Sequence, residues 1–143
     1  MRFLAWMFVV GGVAQAQGAP VAVSCAWARA SLPHQDTGVA YLTLRSDAGD
    51  SLTSVDAAEA GMVMLHQTVV KKGVSEMDDL DSIALPAGKA VALAPGGTHL
   101  MLMDMKQPLK AGGTLHLSLH FAKAGAQDVA VPVLAATASG ACR

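Results

Sequence analysis

From residue 39 to 45 apolar and polar positions alternate, with Ala40, Leu42 and Leu44 on one side and Tyr41 and Thr43 on the other. A period of two is the mark of a strand with one buried face. The same reading predicts strands over 51–57, 62–70, 90–93, 100–105, 115–121 and 129–133. Gly73, Pro86-Ala87-Gly88, Pro95-Gly96-Gly97 and Gly112-Gly113 punctuate them as turns. Short strands at intervals of roughly 8–12 residues point to a β-sandwich or barrel. No stretch combines a helical period with end caps.

Alternation also sorts residues 115–121. Leu115, Leu117 and Leu119 belong to a core face, leaving His116, Ser118 and His120 opposite. Those two histidines resemble a metal pair, but alternation alone accounts for them as solvated strand positions. His34, in Pro33-His34-Gln35-Asp36, reads as a loop residue.

The first residues have a different character. Arg2, an apolar run over 3–13 and Ala14-Gln15-Ala16 make a secretory leader with a small-residue cleavage site. The expected division is therefore a signal peptide over 1–16 and a single β-domain over 17–143, exported to the periplasm as a soluble protein. The run is short for a membrane span, so no stable insertion is expected after cleavage. Without Arg2 the 10 basic residues become 9 against 11 acids. That balance supplies no basic face for nucleic acid. Cys25 and Cys142 are the two cysteines. An oxidising compartment permits a bond between them; the alternative is two independent thiols, one of which meets copper.

The candidate chemistry lies in His66, Met77, His99 and Met101. Ten residues separate the first two, twenty-one the next two, and one the last two. Thioether sulfur is soft and neutral, and imidazole suits copper and zinc, so two of each favour Cu(I). His99 and Met101 leave the same face of a strand. Met62, Met64, Met103 and Met105 complicate the count, since not all can hold one ion. Met103 and Met105 read as packing or outer residues, with Met103 the nearest rival to Met101. Glu76, Asp78, Asp79 and Asp81 surround Met77 with acid. They read as a solvated turn, the alternative being a surface that steers a cation or a basic partner.

The His-Met pattern with its spacings resembles the signature of the periplasmic copper chaperone family PCu(A)C. Trp27-Ala28-Arg29, the strand from Gly38 through Tyr41 to Leu44, Leu65-His66-Gln67-Thr68, Pro95 through His99 to Met103, and Pro108-Leu109-Lys110-Ala111-Gly112 resemble family segments in the right order. The likeness runs from about Cys25 to Pro132. It implies an all-β, cupredoxin-like Greek-key sandwich or barrel, with His66, Met77, His99 and Met101 as the Cu(I) ligands. It also implies copper delivery to the copper-site subunit of a respiratory cytochrome oxidase, such as the binuclear CuA site of subunit II, with a Sco-type thiol protein as co-worker. Relatives with a His- and Met-rich tail carry a Cu(II) site. The sequence here closes Ala138-Ser139-Gly140-Ala141-Cys142-Arg143, which puts that second site in doubt.

The ligand chemistry fits carriage better than turnover. A blue-copper electron carrier needs a thiolate beside its histidines, and both cysteines lie outside the His-Met segments. No nucleophile with its base and no catalytic carboxylate pair stands out, so no enzyme is expected. The competing readings are a periplasmic copper buffer without a dedicated client, and a copper-independent interaction sandwich.

Overall fold

The structure, a computed structural model, describes residues 19–140 and 142; the expected leader lies outside them. The described residues form ten strands and no helix. They are β1 (Ala22–Arg29), β2 (Gly38–Ser46), β3 (Asp50–Ala57), β4 (Ala60–Lys71), β5 (Val74–Leu80), β6 (Ile83–Leu85), β7 (Lys89–Ala92), β8 (Thr98–Met105), β9 (Thr114–Phe121) and β10 (Gly125–Leu134). One layer runs β5-β4-β8-β2-β1, with β7 continuing the β8 edge of β2; the other runs β10-β9-β3-β6. They join where β1 lies parallel to β10, Ala28 beside Val133. This is a β-sandwich, as the alternation predicts, and it is cupredoxin-like, as the family resemblance implies.

The alternating residues fill the space between the layers. Leu42, Leu44, Leu100 and Leu102 from one layer meet Leu52, Leu115, Leu119 and Val131 from the other, all essentially inaccessible. Burying each such side chain is worth roughly 1.5–3 kcal/mol relative to exposure.

Three strands go beyond the alternation. β1 carries a bulge: its register with β2 jumps between Ser24 and Trp27, and Cys25 has a φ of 52°. The extra residue breaks the period of two. β6 is only three residues long. β5 holds the acids 76, 78 and 79, so the expected solvated turn is in fact an edge strand paired to β4. Lys72 and Gly73, at φ 51° and 78°, join the two through a two-residue turn. Left-handed geometry at both positions matches the twist of the flanking strands.

Met105, read as a packing or outer residue, packs into the core. Asp104 before it has a φ of 53°, and that left-handed residue interrupts the alternation. Cys25 and Cys142 are bonded, their Cα atoms 5.2 Å apart, so the tail is fastened to the β1 bulge.

Candidate metal centre

Register brings the candidate ligands together. On adjacent antiparallel strands, His66 of β4 is directly opposite His99 of β8, and Met64 is opposite Met101. Directly opposed residues point to the same face. On the far side of β4, Thr68 is opposite Met77 and His66 opposite Asp79. Both histidines, Met101 and Met77 therefore occupy one face of the first layer, the face turned away from the core. His66 and Met77 reach it because the tight 72–73 turn folds β5 back along β4.

The two imidazoles meet edge to face, centroids 5.7 Å apart and planes at 87°. His99 is buried, at 5% exposure. Its Nδ1 lies 3.1 Å from the Gly97 carbonyl. A carbonyl only accepts, so Nδ1 carries the proton and Nε2 presents a lone pair. That Nε2 is buried and has no hydrogen-bond partner.

His66 is in a similar position. Asp79 Oδ1 stands 2.7 Å from its Nε2. The approach lacks the alignment a hydrogen bond requires, and both ring nitrogens are buried without a partner. A neutral imidazole has one N–H and one lone pair, so the lone pairs left without a partner are Nε2 of His99 and one nitrogen of His66, whose Nε2 has the Asp79 carboxylate beside it. A metal ion is a group that accepts such lone pairs.

The thioethers complete the surroundings. Met101 is half-buried, next along the face from His99, while Met77 is 59% exposed on the edge strand. Met103 lies one step further from the histidines, opposite Met62. Among the described residues no group of three or more His, Cys, Asp or Glu is placed to hold an ion. An ion held by the two histidines would have to take its further ligands from the thioethers nearby. On the neighbouring β1 and β2, Trp27 and Tyr41 lie opposite each other with ring centroids 4.7 Å apart, under the Arg29 guanidinium. Burial pushes the Tyr41 hydroxyl above its ordinary range, against the pull of Arg29, so it stays protonated. Arg29 in turn donates to the Ala138 carbonyl of the tail.

The other histidine pair is engaged elsewhere. His116 lies 2.6 Å from Glu59 and His120 2.8 Å from Asp56, on the exposed face of the second layer. Asp79 is solvated, as the acidic run predicts, with its side chain 70% exposed, but the β4–β5 register also sets it against His66, which the sequence pattern does not show.

The comparisons agree with this geometry. The family model described as LpqE-like matches residues 21–133. A protein of Leifsonia xyli subsp. xyli is 35% identical over 120 residues, covering 83% of this chain and 71% of that protein. One from Rickettsia prowazekii is 31% identical over 101 residues, covering 66% and 56%. The descriptions of the family and of the Leifsonia protein both carry the word lipoprotein. Among solved structures, the copper-bound PCuAC domain from PmoF2 aligns with a TM-score of 0.69 at 27% identity, covering 82% of this chain and 95% of that domain. Cu(I)-bound DR1885 from Deinococcus radiodurans aligns with a TM-score of 0.65 at 31% identity, covering 85% and 83%.

Fold and site together define a cupredoxin-like domain of the PCuAC class. Within that class, the chain belongs to the LpqE-like family.

Proposed function

We propose that this protein is an exported Cu(I) chaperone that carries the ion on His66, Met77, His99 and Met101. The observation that carries the reading is the facing histidine pair, each ring with a buried nitrogen that makes no hydrogen bond, beside thioethers. The copper named in the descriptions of the related solved domains supports the same ion. Four neutral ligands leave Cu(I) its single charge, and soft sulfur favours the reduced state. The ion is cargo, and hand-over proceeds by ligand exchange with no reaction on the protein.

The leader, the lipoprotein descriptions of its relatives and a Cys25–Cys142 bond suited to an oxidising compartment support a periplasmic location. With its sulfur in that bond, Cys25 is not free to carry a lipid. No helix among the described residues is long and apolar enough to cross a membrane. The proposed client is the copper-site subunit of a respiratory cytochrome oxidase, with a Sco-type thiol protein as co-worker.

Two measurements test this. Anaerobic Cu(I) titration against a competing chelator, read with X-ray absorption, should give one tight equivalent with both nitrogen and sulfur neighbours. A shell of oxygen and nitrogen alone would overturn the ligand set. Cells lacking the protein should lose oxidase activity when copper is scarce and recover it when copper is supplied. Normal oxidase at low copper, with sensitivity at high copper, would make the protein a buffer.

A further inference from the structure

The face that carries the histidines also carries methionines that the four-ligand set does not use. Met62 is directly opposite Met103, and Met64 is directly opposite Met101. Met62 and Met64 are two apart on β4, so all four thioethers leave one face, continuous with His66 and His99. It is the face away from the core. Leu65, Leu100 and Leu102 on the other side are buried, and none of these four methionines belongs to the hydrophobic core. Met62 is 50% exposed. Met105 provides the contrast, since it is the methionine of β8 that turns inward and packs.

Packing therefore does not account for these side chains. Opposed residues hold their Cβ atoms about 4.5–5.5 Å apart, and diagonal neighbours stay within reach of long side chains. Methionine has three rotatable bonds and a polarisable sulfur. The sulfurs of Met62, Met64 and Met103 can thus converge above the Met62–Met103 pair.

We propose that Met62, Met64 and Met103 form a second, weaker soft-cation site that takes Cu(I) as a three-thioether complex. Met101, opposite Met64, links it to the histidine centre. An ion passes between the two by exchanging one thioether for another. No electron moves, and no proton is released, because a thioether has no proton to lose. The relay role rests on the proposed histidine–methionine centre; the existence of the second site does not.

The test uses the purified protein labelled with 13C at the methionine methyl groups, titrated anaerobically with Cu(I) and with redox-inert Ag(I). The first equivalent should shift Met77 and Met101. A second should shift Met62, Met64 and Met103. Substituting all three, Met62→Leu, Met64→Leu and Met103→Leu, keeps the apolar volume approximately. That variant should lose the second equivalent and keep the first. Should it fail to fold, the wild-type methyl shifts decide alone. Resonances of Met62, Met64 and Met103 that stay fixed through several equivalents overturn the proposal, as does a second equivalent retained by the folded variant. The double variant His66→Ala, His99→Ala separates the two sites. If its three methionines still shift, the second site stands, whatever the first titration says of the histidine centre.

Discussion

The ring of His99 is held by the Gly97 carbonyl, 3.1 Å from its Nδ1, in a contact made within the turn that leads into β8. The same turn that starts the strand therefore sets the tautomer of the imidazole and leaves Nε2 free towards His66. His99→Ala should weaken Cu(I) binding by on the order of 100-fold or more, since loss of even an outer partner of a metal ligand commonly costs 10–100-fold. Chelator competition measures it. Near-wild-type affinity in this variant would remove His99 from the ligand set.

Met101 and Met103 are distinguished by their rungs on the β4–β8 ladder. Met101 is next along the face from His99, and Met103 is one step beyond. Met101→Leu keeps the volume and deletes the sulfur, so a loss of tight Cu(I) affinity would report coordination more than packing. Met103→Leu should leave the tight equivalent within about twofold of wild type. The reverse order in a titration would exchange their roles.

Gly61 lies against Asp104, where an added Cβ would come within 2.9 Å of the Asp104 Cβ. A Cβ cannot swing aside like a side-chain tip, so the β4–β8 ladder must open. Gly61→Ala should cost about 1–3 kcal/mol, read as a lower midpoint in urea unfolding. An unchanged midpoint would show that the strands yield there.

The Cys25–Cys142 bond closes a loop across 117 positions. Replacing both by Ser should lower stability by about 2–5 kcal/mol while leaving Cu(I) stoichiometry intact, because neither sulfur belongs to the proposed centre. A lost equivalent of copper in that variant would bring the cysteines back as ligands.

Asp50 predicts an acid limb. Burial works against its charge, but the backbone N–H groups of Ser51, Lys123 and Ala124 donate to it and hold its carboxyl below the ordinary range. The folded value lies below the unfolded one, so the ionised form stabilises the protein at neutral pH. That contribution fades as pH falls from about 3.9 through the lowered value. Asp50→Asn should be less stable at pH 7 and show a shallower acid limb in unfolding curves taken across pH. An acid limb as steep as the wild type's would locate the titration elsewhere.

The shared face of His99 and Met101 was readable because alternation alone puts two residues two apart on one strand face. The sandwich was readable for the same reason, in the leucines of β2, β8 and β9. The rest of the proposed centre depended on β5, whose Ser75, Glu76, Asp78 and Asp79 hide a strand behind charge. Edge strands often carry such charge, which blunts pairing with other chains. Family resemblance supplied Met77 where periodicity could not. Asp79 beside His66, and Met62 and Met64 facing Met103 and Met101, follow from inter-strand register, which a single chain's pattern does not encode. Asp104, through one backbone angle, turns Met105 into the core while Met103 stays opposite Met62.

The placement of Met77 on an outermost strand has a kinetic meaning. An edge hairpin opens more cheaply than the strands it flanks, since only one neighbour holds it and its closing turn is solvated. Such breathing would withdraw the Met77 sulfur while His66 and His99, on the interior β4–β8 ladder, kept their grip. A domain built this way can be durable as a fold and short-lived as a complex. Its residence time for copper would then be set by one hairpin, not by unfolding of the whole.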